Sequence, residues 1–172
     1  MHDAAQNALA PLVGLPLRCV GRAVVLLWAH FGELCEIPAR KGGTRTVGEW
    51  ALHVQCPWRI SQPPSILVGS GDYFYAADGN GPYDPRSGRE SRFDRRAVPL
   101  NRDLENSPPR VAAVSLDAVG GFTLRLDNGY VLEVFPDDGG GSDSEYWRIF
   151  RPGTDERHFV FPVTHERPNK VV

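Results

Sequence analysis

The chain has 172 residues, of which 41% are hydrophobic, so it is long enough for one domain with a real core and too apolar for wholesale disorder. Nineteen Lys and Arg face 21 Asp and Glu, for a net charge of −2, which excludes a dominant phosphate-binding surface. Eighteen glycines and 15 prolines imply many turns between short elements.

Taken in chain order, Asp3 and Gln6 have capping-box spacing ahead of Ala8 and Leu9, and Pro11 with Gly14 ends any helix there. No Lys or Arg precedes this stretch, so it does not read as a signal peptide. The run from Val20 to Phe31 is the most hydrophobic window. It spans about 12 residues where a membrane span needs about 20, and it contains Arg22 and His30. A buried helix or a strand covered on both faces fits it; Val24, Val25, Trp28 and Phe31 favour a strand beginning near Arg22.

After a polar loop over residues 40–46, the segment from Glu49 to Ile60 alternates cleanly. Trp50, Leu52, Val54, Cys56, Trp58 and Ile60 share one face, while Glu49, His53, Gln55 and Arg59 take the other. A period of two sustained this long is a half-buried strand. Pro57 offers no N–H, so the strand is either an edge there, open to water or to a second copy, or it bends. Gln62-Pro63-Pro64 closes it, and residues 66–69 read as the return strand of a hairpin.

Residues 76–92 form a turn-rich loop. Ser91 and Asp94 then cap a short helix carrying Phe93, Ala97, Leu100 and Leu104, which Pro99 is expected to interrupt. Strands follow at residues 111–116, 122–126, 130–135, 146–150 and 159–163, separated by Gly- and Asp-rich turns in the manner of an antiparallel meander. The hairpin through Asn128-Gly129 has two possible registers. A two-residue loop pairs Leu124 with Glu133 and puts a carboxylate on the apolar face. A three-residue loop pairs Leu126 with Tyr130, Leu124 with Leu132 and Phe122 with Val134. Because a one-residue slip inverts every side chain, the second register is expected. The whole reads as a single domain over residues 1–172 of the α+β class, mostly β, as an antiparallel meander or partly closed barrel with one or two short helices.

Candidate chemistry is sparse. Cys19, Cys35 and Cys56 are an odd number without C-x-x-C spacing, which argues against a disulfide framework or zinc site and for a reducing, cytoplasmic setting. Asp137, Asp138, Asp143 and Glu145 crowd one loop, but their spacing misses the EF-hand pattern, so they are weak metal candidates beside the expectation of no metal and no cofactor. Ser70 lacks a G-x-S-x-G frame, and no G-x-G-x-x-G or P-loop occurs. Six arginines between residues 84 and 105 are interleaved with five acids, a salt-bridged surface and not a nucleic-acid tract. Two constellations remain. Asp72, Tyr73, Phe74 and Tyr75, ahead of the glycine-rich loop, are candidate contacts for another protein. His53, Gln55 and Glu133, together with Asp72, are the alternative: polar groups that could converge on a ligand pocket in a curved sheet.

The segments Gly48 to Ile60, Gly121 to Leu126, Val131 to Pro136 and Tyr146 to Phe150 together resemble a family of small bacterial proteins of unassigned activity, similar in kind to the β-rich cytoplasmic proteins that include toxin-neutralising immunity proteins. The resemblance brings no activity with it; a sound core without a convergent catalytic motif leads instead to the expectation of a non-enzymatic protein acting through protein–protein contact, inhibitory or immunity-like, without nucleic acid or membrane. A small-ligand-binding protein or an enzyme with a pocket in the sheet is the alternative.

Overall fold

The computed structural model describes residues 2–39, 42–79, 81–139 and 145–162. In chain order it comprises α1 (His2–Leu9), β1 (Leu17–Ala23), β2 (Leu26–Pro38), β3 (Thr44–Val54), β4 (Trp58–Gln62), β5 (Ser65–Gly69), α2 (Arg92–Asn106), β6 (Val111–Leu116), β7 (Phe122–Leu126), β8 (Val131–Val134), β9 (Trp147–Phe150) and β10 (Phe159–Phe161). The strands form two five-stranded sheets, ordered β1-β2-β3-β9-β10 and β5-β4-β8-β7-β6, with every neighbouring pair antiparallel and no barrel closed. The α+β, mostly β class therefore holds, with one antiparallel meander through β1, β2 and β3 and another through β6, β7 and β8.

The division into two sheets starts at Pro57. The amides of Gln55 and Cys56 both donate to the Tyr146 carbonyl, at 2.8 and 3.3 Å, and the Phe135 amide donates to the Pro57 carbonyl at 2.9 Å. The expected single strand from Glu49 to Ile60 is thus two strands in different sheets, bent where the proline cannot continue a ladder. The two-fold rhythm survives the bend because both strands face one interior: Leu52, Val54, Cys56, Trp58 and Ile60 all lie in the same hydrophobic cluster. That cluster also takes Ala5 and Leu9 of α1 and Phe93, Ala97, Leu100 and Leu104 of α2.

Two expectations about the elements next to the site need correction. First, the run from Val20 to Phe31 is a hairpin and not one strand. Ala23 pairs with Leu26, so Val24 and Val25 form a two-residue turn, with Val24 at φ +59°. A β-branched residue rarely adopts the left-handed region, which is why nothing in the composition of the turn announced it. Second, α2 is a 15-residue helix that runs through Pro99. Proline removes one helical N–H and orphans the carbonyl four residues back, that of Arg95. Both residues are exposed, so water satisfies that carbonyl, while the buried stripe from Phe93 to Leu104 holds the helix down. The Asn101 side chain docks α2 onto the edge of β1, accepting from the Val20 amide at 2.8 Å and donating to the Val20 carbonyl at 2.9 Å.

The hairpin between β7 and β8 adopts the three-residue loop. Leu124 pairs with Leu132, Phe122 with Val134 and Thr123 with Glu133, and Gly129 takes φ +87° in the left-handed position. At the start of the chain the helix already includes His2, so Asp3 lies in the first turn and does not cap it.

Candidate functional site

The β1–β2 turn, the start of α2 and the segment following β5 meet around a cavity of about 570 Å³ lined by Arg22, Val24, Val25, Tyr73, Phe74, Tyr83, Pro85 and Asp94. Each wall has a local cause. After β5 the chain tightens into a 3₁₀ turn over Ser70–Phe74, in which the Asp72 carboxylate accepts from the Gly69 amide at 3.0 Å. Arg96 and Arg92 of α2 lie 3.5 and 3.8 Å from the same carboxylate. This buried anchor turns Tyr73 inward, only 3% exposed, and leaves Phe74 outward, 60% exposed. The Tyr73 ring packs on Phe93, centroids 4.9 Å apart, and edge-on to Trp58 at 5.9 Å. The following loop is stitched down by backbone bonds from Tyr83 to Phe74 (2.8 Å) and from Arg92 to Tyr75 (2.7 Å), and the Arg92 guanidinium covers the Tyr75 ring at 4.4 Å.

The polar wall is one ion pair. Arg22 donates through Nε and Nη2 to both oxygens of Asp94, each at 2.7 Å, through Nη1 to the Val24 carbonyl at 3.0 Å and through Nη2 to the Tyr83 hydroxyl at 3.3 Å. Asp94 is also the carboxylate of the expected capping box: it accepts from the Ser91 amide at 3.0 Å and hydroxyl at 2.8 Å, while Ser91 Oγ accepts from the Asp94 amide at 3.2 Å. The Arg22 hydrogen bonds, with those from Ser91, outweigh burial and hold the Asp94 carboxyl at about 2. On its other side the same pair borders an open groove between β1 and α2, along Val20, Trp28, Ala97 and Asn101.

Two buried polar atoms at this site lack hydrogen bonds: the Tyr73 hydroxyl and the Trp58 indole Nε1. The indole is close enough to favour the phenolate slightly, yet the two do not reach hydrogen-bond geometry. Burial dominates and pushes the Tyr73 hydroxyl well above its ordinary range.

Of the residues singled out from the sequence, Tyr73 and Phe74 line this cavity, and Asp72 and Tyr75 flank it, the first as a buried anchor and the second as a half-exposed aromatic. The other constellation does not converge. His53 is half-buried on the first sheet, paired with Trp28 and Arg148 and edge-on to Phe150 at 4.9 Å. Exposed Gln55 lies near Glu145, where burial pushes the carboxyl up and Arg148, then Gln55, outweigh it and hold it below the ordinary range. Glu133 lies in the second sheet, bound by Arg59 at 2.6 and 2.9 Å. In the acidic loop Asp137 and Asp138 are exposed, Tyr146 donates to Asp138, Glu145 pairs with Arg148, and Asp143 lies outside the described residues. Among the described residues no three His, Cys, Asp or Glu side chains gather where they could hold a metal ion, and no helix is long and apolar enough to cross a membrane.

His53 carries a stability prediction. Burial, then the nearby Arg148 charge, lowers its imidazole to about 4, against an ordinary value of 6.5. The folded state thus binds this proton less readily than the unfolded chain. The contribution is fully present above pH 6.5 and is lost as pH falls toward 4. Half-burial leaves part of the charge to solvent, so roughly 1–2 kcal/mol of stability disappears over that window. Urea unfolding of the wild type and of His53→Leu at a series of pH values will show a shallower acid slope in the variant.

Sequence reasoning missed Arg22, Val24, Val25, Tyr83, Pro85 and the second role of Asp94. One signal was present: a lone arginine inside an apolar β run needs an acidic partner, and the nearest in space is 72 residues away. No family model, curated protein or solved structure matches the chain.

Proposed function

We propose that this is a recognition protein acting through protein–protein contact, with the rim of the cavity as its docking surface. The observation that carries this reading is the convergence of exposed apolar side chains from separate segments. Val24 (77% exposed) and Val25 on the β1–β2 turn stand with Phe74 (60% exposed) around one cavity mouth, and Tyr75 flanks it. Contiguous exposed apolar surface is costly to leave in water and marks contact sites, and aromatic anchors contribute most of the binding energy at such sites. The ion pair, the capping box and the backbone bonds to Phe74 and Tyr75 hold the backbone of the rim in place, which lowers the ordering cost of binding. An inhibitor- or immunity-like role in the cytoplasm fits this surface and the three unpaired cysteines, Cys19, Cys35 and Cys56.

The test is site-specific photo-crosslinking in cells that make the protein, with the reactive side chain at Phe74 or at Val119, an equally exposed residue in the turn between β6 and β7. A discrete adduct from position 74 and none from 119 is expected. Phe74→Asp should weaken the captured partner by on the order of 2 kcal/mol, about 30-fold, without changing thermal stability. Equal labelling from both positions, or none from 74, overturns the reading.

A further inference from the structure

We infer that the cavity beneath this rim is a binding site for a free, planar aromatic molecule whose polar group accepts hydrogen bonds, such as an aryl ketone or aryl carboxylate. Its volume of about 570 Å³ sits within the range of ligand sites, ~300–1,000 Å³, and is more than one partner side chain would fill. The walls are aromatic and apolar, from Tyr73, Phe74, Tyr83 and Val24, which suits a flat ring.

The polar atoms decide the rest, because they are donors. Both oxygens of Asp94 are occupied, one by Arg22 Nε and the other by Arg22 Nη2 and the Ser91 amide and hydroxyl. Oδ1 keeps a single lone pair, and it lies beside the Arg22 guanidinium, which repels a ligand cation. Tyr83 accepts from Arg22 through its oxygen, which leaves its own hydrogen to give. Tyr73 lines the cavity, but its hydroxyl is buried on the Trp58 side and is closed to a ligand. The Tyr83 hydrogen is therefore the donor that a ligand oxygen would take up. Arg22 and Asp94 neutralise each other, so a cation gains nothing here.

Three naphthalene probes of one shape test this by calorimetry and NMR on the full chain: naphthoate, acetylnaphthalene and naphthylmethylammonium. The first two are expected to bind, with the ammonium about tenfold weaker or more, and Tyr83→Phe should weaken naphthoate roughly tenfold by removing one donor. The ranking of the three probes on the wild type stands even where a variant fails to fold. Equal or tighter binding of the ammonium, no binding of any probe, or an unchanged affinity in Tyr83→Phe overturns the inference. Probe binding without a Phe74 adduct leaves this inference standing and defeats the docking surface; a Phe74 adduct without probe binding does the reverse.

Discussion

Replacing Trp147 by alanine will lower the free energy of unfolding by about 3–5 kcal/mol, the range for a large aromatic removed from a core. The side chain is fully buried and lies at the centre of an aromatic group: Phe161 stacks on it at 5.2 Å and 6°, Phe122 meets it edge-on at 5.2 Å, and Phe159 lies 5.5 Å away. Its indole N–H donates to the Gly120 carbonyl at 2.8 Å, a bond that alanine leaves orphaned in the interior. Gly120 has no freedom to compensate, since it sits at φ +91° with the Phe161 ring where a Cβ would be. Trp147→Phe separates the two contributions: it keeps most of the packing and loses the hydrogen bond, so about 1–3 kcal/mol is expected. Total stabilities of small domains are roughly 5–15 kcal/mol, so the alanine variant stands near the edge of folding. Urea unfolding at constant m-value measures both. An alanine cost under about 1 kcal/mol would mean that the two sheets do not share this aromatic centre.

How much of this was legible beforehand depends on the range of the interaction. The register of β7 against β8 could be read from Phe122 to Val134 because a slip of one residue would have buried Glu133. The start of α2 could be read because Ser91 and Asp94 cap it locally. Both depend on residues a few positions apart. The inward face from Leu52 to Ile60 was also legible, but the bend at Pro57 was only one of two readings and the passage into a second sheet was not read at all, since it is enforced by Tyr146, far along the chain. The Val24-Val25 turn was hidden because its residues argue for strand; it exists because Gly21 lets the Trp28 ring lie across the facing strand, and because Arg22 is held by α2. The cavity is the extreme case. Tyr73 and Phe74 were visible as partner-contact candidates, with at least one of the neighbouring aromatics expected to pack into the core as Tyr73 does, but the polar wall joins Arg22 to Asp94, and no local pattern links two such residues.

That wall yields the second large effect. Asp94→Ala will cost about 2–4 kcal/mol, from the capping box at roughly 0.5–2 and the charge-assisted bonds to Arg22 at about 1.5–3, the sum reduced because the pair is partly open to water. The substitution removes one carboxylate that closes the first turn of α2 and anchors the β1–β2 turn, so helix and hairpin loosen together. Asp94→Asn keeps the shape and the short polar side chain but not the charge, and about 1–2 kcal/mol is expected. The pH dependence separates electrostatics from shape. Asp94 titrates at about 2 in the folded protein against an ordinary 3.8, so its contribution is fully present above 3.8 and fades as pH falls toward 2. The difference between wild type and Asp94→Asn should therefore be constant from pH 7 to about 5 and narrow below 4. A cycle with Arg22→Met isolates the pair, and a coupling near zero would show that Asp94 acts through the helix cap alone. The same variants bear on the cavity: with the ion pair gone, its polar wall opens toward the groove between β1 and α2, and naphthoate binding should fall along with stability.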